Sequence, residues 1–195
     1  MKRFFDFISS FFGLIILSPI IIFIILWIKR DSDGPVFFLQ QRVGLNGKLF
    51  NIFKFRTMIP DAEQKGLKVT VGTDSRITKS GHFLRKTKLD ELPQLLNVFL
   101  GQMSIVGPRP EVPEFMNEYS TDIRSKILSV RPGITDLASI EFTNEAEILA
   151  GSLDPRRKYI DDVMPIKAKF YMDYVYNNNF IGDLKIILLT LKKIL

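Results

Sequence analysis

Two adjacent carboxylates, Asp90 and Glu91, stand in the stretch Thr87-Lys88-Leu89-Asp90-Glu91-Leu92-Pro93-Gln94, between a basic run and an apolar helix. Upstream, Arg76, Lys79, Arg85, Lys86 and Lys88 follow one another with no acid among them. Downstream, Leu92, Leu95, Leu96 and Phe99 recur at helical spacing and predict a helix over 92–100. Asp90 is a favourable N-cap, which puts Pro93 in the first turn, where its missing N–H is no loss. The carboxylate pair then lies at the positive end of a helix dipole among cations, a place that suits a phosphate and a metal ion. The same residues also allow a simpler account, in which Asp90 only caps and Glu91 only balances the lysines beside it.

Further cations are fixed by their neighbours. Residues 36–43 read as a strand, Asn46-Gly47 as a hairpin turn, and 49–58 as the return strand. Side-chain alternation puts Ile52, Lys54 and Arg56 on one face, with Lys54 and Arg56 about 7 Å apart, as a clamp for a diphosphate or as a solvated basic edge. In Val106-Gly107-Pro108-Arg109-Pro110 two prolines restrict the backbone on either side of Arg109, and a preorganised guanidinium suits bidentate phosphate binding. His82, beside Phe83, reads as structural.

The elements that must carry these residues begin with a membrane-type segment. Residues 7–28 contain no charge, and as a straight helix they would span roughly 33 Å, enough to cross a bilayer core. Ser18-Pro19 near the middle should bend or break that helix. Lys2-Arg3 precedes the run and Lys29-Arg30 follows it, and the positive-inside tendency puts both ends in the cytoplasm. A helix that enters, breaks and returns satisfies both features; base rate alone favours an ordinary span with a tolerated proline. Farther on, short helices are expected over 60–68 and 144–150, and longer ones over 113–130 and 165–176. Rigid or charged turns are expected at Arg131-Pro132-Gly133-Ile134-Thr135 and Asp154-Pro155-Arg156-Arg157-Lys158. Residues 180–195 place Ile181, Leu184, Ile187, Leu188, Leu191 and Leu195 at helical spacing, with Lys185, Lys192 and Lys193 off that stripe, as in an ordinary packing helix or, beside a membrane segment, one lying in the membrane interface.

Composition narrows the chemistry. The chain has 195 residues with 27 basic and 21 acidic side chains, a net charge of +6 that points to an anionic partner. It has no cysteine and a single histidine, so thiolate chemistry and a His-rich metal site are excluded. Any catalysis rests on carboxylates, Lys, Arg, Tyr, Ser or Thr. No Gly-rich Lys-Ser/Thr phosphate loop is present, which argues against a P-loop nucleotidase.

Taken in order, the motifs resemble one family. Lys2-Arg3-Phe4-Phe5-Asp6, Ser18-Pro19, Gly34-Pro35-Val36-Phe37-Phe38, Gln41-Arg42-Val43-Gly44 and Lys54-Phe55-Arg56-Thr57-Met58 are followed by Arg85-Lys86-Thr87 and Leu89-Asp90-Glu91-Leu92-Pro93-Gln94. Asn97-Val98, Val106-Gly107-Pro108-Arg109-Pro110 and Pro132-Gly133-Ile134-Thr135 complete the set. Each is weak alone; together they resemble the bacterial sugar transferases, the monotopic phosphoglycosyl transferases in minimal form. The resemblance implies transfer of a phosphosugar from a UDP-sugar to polyprenyl (undecaprenyl) phosphate, with Mg²⁺, giving polyprenyl diphosphosugar and UMP and initiating assembly of a bacterial glycoconjugate. It implies that Asp90 is the nucleophile of a covalent intermediate, with Glu91 as its catalytic partner; Asp90 and Glu91 are the candidate metal ligands, and Glu91 could instead help to deprotonate the acceptor. Lys54, Arg56, Arg85 and Arg109 then fall to phosphate binding. It also implies a re-entrant helix broken at Ser18-Pro19, on the cytoplasmic face of the inner membrane and in contact with phospholipid. The family usually has glycine where this chain has Asp136, a position expected to bear on the choice of sugar.

The expected architecture is α+β: a helix-break-helix over 1–30, then a cytoplasmic catalytic domain over 31–195. That domain should hold a small hairpin or sheet by the site, several helices and interfacial helices. No nucleic acid is expected, and the sequence carries no signal for oligomeric state. Two rival classes use the same residues: an anchored protein holding acidic lipid or nucleic acid, and a metal-dependent hydrolase of a lipid diphosphate.

Overall fold

A computed structural model describes residues 1–60, 62 and 74–194. Helices α1 (Lys2–Ile16) and α2 (Ser18–Asp31) meet at a 60° bend. The bend falls where Pro19 enters the first turn of α2 and Ser18 turns its hydroxyl back to the Ile15 carbonyl at 2.7 Å. Among the described residues no single helix is long and apolar enough to cross a membrane; the bent pair together is. One face of α2 is internal: Ile24 and Ile28 pack with Phe55 and Leu84. The other face leaves Ile20, Ile22, Phe23 and Leu26 exposed, as α1 does Phe4, Phe12, Ile15 and Ile16.

Strands β1 (Phe37–Val43) and β2 (Leu49–Phe55) form the antiparallel hairpin, with Phe38 opposite Lys54 and Val43 opposite Leu49. Asn46 and Gly47 take φ of 54° and 76°, the left-handed conformations that an Asn-Gly turn supplies at least cost. The return strand ends at Phe55, three residues short of the expected end; Met58 makes only an isolated bridge to Ile77. The expected helix over 60–68 lies outside the described residues, apart from 60 and 62.

Next come α3 (Lys79–Lys86), α4 (Gln94–Phe99) and β3 (Ser104–Val106). The helix expected over 113–130 is divided into α5 (Pro113–Met116) and α6 (Thr121–Ile127), because Ser120 caps a new start by accepting from the Ile123 N–H. The proline-glycine turn after it is instead a strand, β4 (Gly133–Thr135), parallel to β3. The two strands pass closely: a Cβ on Gly133 would lie 2.1 Å from the Gly107 nitrogen, so only glycine fits. Helices α7 (Leu137–Glu141), α8 (Glu145–Ala150) and α9 (Pro155–Lys158) follow, the last replacing the expected charged turn. A π-helical turn at Tyr159–Val163 leads into α10 (Met164–Asn177), and α11 (Phe180–Ile194) closes the described chain. The result is the expected α+β class, mostly helix with two small sheets. The largest core packs Met116, Ile127, Leu149, Val163 and Tyr171, behind the loop that carries Arg109.

Candidate active site

Lys88 enters the site with φ of 58°, an uncommon conformation for a residue with a side chain, and Leu89–Glu91 make one turn of 3-10 helix. Helix α4 starts only at Gln94, behind Pro93, and no side chain caps it. The expected N-cap role of Asp90 is therefore corrected: the left-handed Lys88 turns the chain before a cap can form. Among the described residues no group donates a hydrogen bond to the half-buried Asp90 carboxylate.

Glu91, by contrast, is held on two sides. Its Oε1 accepts from Lys54 Nζ at 2.8 Å and from Arg109 Nη2 at 2.6 Å, with Arg109 Nη1 at 3.4 Å from Oε2. Burial alone would raise the Glu91 carboxyl; Arg109 and then Lys54 overcome it and hold the group well below the usual carboxylate range. Burial raises the Asp90 carboxyl above its ordinary value, opposed by Lys54 and reinforced by the charge of Glu91. Burial also lowers the Lys54 ammonium against the pull of Glu91, while Glu91 raises the Arg109 guanidinium well above its usual value. The pair thus divides into a fixed anion and an unsatisfied one beside it.

The scaffold explains the fixing. Lys54 lies on β2, and β2 is joined to α4 by Asn97, which is fully buried. Asn97 Oδ1 accepts from the Phe53 N–H at 2.9 Å, and Nδ2 donates to the Asn51 carbonyl at 2.8 Å. Arg109 is set by its loop: Gly133 N donates to the Pro108 carbonyl, and Arg42 Nη1 to the Pro110 carbonyl at 3.0 Å. Behind it, Tyr159 donates to Glu111 Oε1 at 2.7 Å, and Lys167 pairs with Glu145. Arg85, half-buried on α3, donates from Nε to Thr57 Oγ1 at 2.8 Å; burial lowers its guanidinium while Asp90 draws it up.

Two expectations change here. Arg56 does not form a clamp with Lys54. The strand has ended, and the guanidinium turns inward to the Ser32 and Asp33 carbonyls at 2.8 and 2.5 Å, where buried donors find acceptors. Asp136 does not reach into an open site either. It is 3% exposed and caps α7, accepting from Ser139 N at 3.0 Å and from Ser139 Oγ at 2.6 Å. The structure thus brings together Lys54, Asp90, Glu91 and Arg109, places Arg85 within electrostatic reach and puts Arg56 elsewhere. Arg42 and Asn97 were missed as site residues. The alternation that put Lys54 on its face also puts Arg42 there; nothing local marks Asn97 as the link between strand and helix.

A family model described as bacterial sugar transferase matches residues 1–195. The chain belongs to that family. This sugar transferase is 39% identical over 195 residues to the uncharacterized sugar transferase EpsL of Bacillus subtilis (strain 168), covering all of this chain and 87% of that one. It is 40% identical over 195 residues to a UDP-glucose:undecaprenyl-phosphate glucose-1-phosphate transferase of Klebsiella pneumoniae, covering 98% of this chain and 39% of that one. With the exopolysaccharide production protein PSS of Rhizobium leguminosarum bv. phaseoli it shares 38% over 204 residues, 96% of this chain and 91% of that one. The sugar transferase therefore spans most of its shorter relatives and about two fifths of the Klebsiella protein.

Proposed function

We propose that this sugar transferase moves a phosphosugar from a UDP-sugar to undecaprenyl phosphate in two steps through Asp90, the first step of glycoconjugate assembly. The observation that carries the reading is the division of the carboxylate pair: among the described residues none donates a hydrogen bond to Asp90, while Glu91 is tied to Lys54 and Arg109. A nucleophile needs a free lone pair and neutralised charge on its target. In the first step an Asp90 oxygen attacks the phosphorus that bears the sugar. The bond to the bridging oxygen breaks, and its electron pair leaves on UMP. In the second step a phosphate oxygen of the lipid attacks the same phosphorus, forming the polyprenyl diphosphosugar and returning the Asp90 carboxylate. Lys54, Arg85 and Arg109 hold the diphosphate and stabilise charge gathering on its oxygens.

Mg²⁺ belongs to this proposal. Among the described residues no three His, Cys, Asp or Glu converge to enclose a metal. Mg²⁺ at phosphate sites commonly takes one or two carboxylates and completes its shell with water and substrate oxygens; Asp90 fits that small donor set, and Glu91 would join it through Oε2, since Lys54 and Arg109 Nη2 occupy its Oε1. When bound, the ion neutralises charge on the diphosphate.

The bent helix pair, with its apolar outer faces, supports a re-entrant anchor that returns to the cytoplasmic face of the inner membrane. It would hold the remainder of the chain, from residue 31, at headgroup depth. The test is mass spectrometry of the purified protein incubated with Mg²⁺ and a panel of UDP-sugars, without lipid. A phosphosugar adduct on Asp90 is the expected result. UMP release that occurs only with polyprenyl phosphate, and with no adduct, would replace the two-step reading with direct transfer. No turnover in either condition would favour an anchored binding protein.

A further inference from the structure

The helix pair is fastened at both ends, and the fastenings land on the two helices that bracket the catalytic pair. At the start of α1, Arg3 donates to the last carbonyls of α4, Val98 O at 2.6 Å and Phe99 O at 2.9 Å. These C-terminal carbonyls, of which Val98 O also accepts from the Gly101 N–H, lie at the negative end of the helix dipole and are natural partners of a guanidinium. Gly101, at φ 82°, leaves room for it: a Cβ there would lie 3.1 Å from Arg3 Nη2. Asp6, buried within α1, accepts from the Ile105 N–H of β3 at 3.1 Å, and Lys2 pairs with Asp183 of α11 at 2.6 Å. At the other end of the pair, Asp31 Oδ2 accepts from both the Ser80 N–H and its hydroxyl, each at 2.8 Å, in the first turn of α3.

Helix α3 ends just before Lys88 and α4 begins just after Pro93, so Asp90 and Glu91 fill the gap between the anchored helices. The apolar surface is continuous across the same elements. Trp27 of α2 lies 5.4 Å from Phe83 of α3, and Phe7 of α1 stacks on Phe99 of α4 at 5.0 Å. The site also has internal ties of its own. Asn97 joins α4 to β2, and Glu91 joins Lys54 to Arg109, within the domain itself. What Arg3 and Asp31 add is a fixed relation between Asp90 and the apolar surface of the helix pair.

We infer that Arg3 and Asp31 are positioning residues that set the depth of Asp90 for the lipid phosphate, and that they serve the second step rather than the first. The inference rests on the two-step reading above. A soluble donor reaches Asp90 at any height; an acceptor phosphate held at the headgroups does not. Misplacement by about 1 Å can cost about a hundredfold in rate.

The experiment uses the full chain in lipid nanodiscs, with Arg3→Met, Asp31→Ala and the conservative Arg3→Lys. Two rates are read separately: phosphosugar adduct formation on Asp90 from UDP-sugar, and discharge of that adduct to undecaprenyl phosphate. Adduct formation is expected within about twofold of the parent in each variant. Discharge is expected to slow by about tenfold or more in Arg3→Met and Asp31→Ala, with partial recovery in Arg3→Lys. Quenching of Trp27, the only tryptophan, by brominated lipid shows that each variant is folded and inserted. Equal loss in both steps by an inserted variant would overturn the inference, as would unchanged discharge. Absence of an adduct in the parent protein would overturn the two-step reading itself.

Discussion

At the scale of the residue, the division of labour between neighbouring carboxylates makes opposite predictions for them. The Asp90 carboxyl is raised, chiefly by burial, so its ionised form is disfavoured by the fold. A carboxyl whose folded pKa exceeds its unfolded value withdraws stability as pH rises between the two, and none of that cost remains once the charge is removed. Asp90→Asn is therefore expected to raise the melting temperature at pH 7 while lowering turnover at least about a thousandfold. Scanning calorimetry and the adduct assay read the two effects. On the two-step reading the acid limb of kcat/KM should also lie above the ordinary aspartate pKa, since only the carboxylate would attack. Glu91 carries the reverse sign: its carboxyl is depressed, so the stability it confers is present above its unfolded pKa and lost as pH falls through the folded one. Glu91→Gln should destabilise the protein by about 1–3 kcal/mol, because Lys54 and Arg109 lose a shared partner in a half-enclosed site. Without Mg²⁺ it should also tighten binding of inorganic pyrophosphate, which competes with Glu91 for the same two cations. Isothermal titration decides this, and weaker binding would mean that Glu91 helps to hold the ligand.

At the scale of the element, the site depends on α3 and α4 keeping their places. A Cβ on Gly81 would lie 2.1 Å from the Thr57 carbonyl, so Gly81→Ala must push α3 away from the residue that holds Arg85. A loss of about 2 kcal/mol or more is expected in urea unfolding, with a raised KM for the UDP-sugar. Asn97→Ala should cost about 2–3 kcal/mol by leaving the Phe53 N–H and Asn51 carbonyl without their partner. Elements like these were unequally legible in the sequence. The hairpin could be read because Asn46-Gly47 suits the left-handed turn it adopts, and the break at Ser18-Pro19 and the stripe of α11 are local in the same sense. The start of α4 could not, because nothing in Lys88 announces a positive φ. Strand β4 read as a turn, since three residues flanked by proline pair only with β3, about thirty positions away. In the site, residue types pointed to Asp90, Glu91, Lys54 and Arg109. The ion pairs joining them span 37 and 18 positions, which no local pattern encodes. Arg56 went astray for the converse reason: its partners lie 23 and 24 positions upstream, at the end of the membrane-type segment.

At the scale of the whole molecule, the outer faces of α1, α2 and α11 expose large apolar side chains, among them Phe4, Ile16, Phe23, Ile181 and Leu188. On the re-entrant reading the protein should float with liposomes, and Lys2→Cys and Arg30→Cys should both react with an impermeant maleimide from the same side of a sealed vesicle. The absence of native cysteine makes the labelling unambiguous. Reaction from opposite sides would establish a plain span.

The collar of polar contacts at the start of α1 also bears on how the protein is made. Arg3 waits 95 residues for the Val98 carbonyl, Asp6 waits 99 for the Ile105 amide, and Lys2 waits 181 for Asp183. During synthesis the apolar segment emerges long before those partners exist. On the re-entrant reading Lys2, Arg3 and Asp6 stay in water until those partners arrive, on the side where the ribosome works. A chain that let Lys2 and Arg3 cross first would leave the carbonyls of α4 and the carboxylate of Asp183 without their cations. The order of synthesis and the finished contacts are thus both compatible with the re-entrant orientation proposed above.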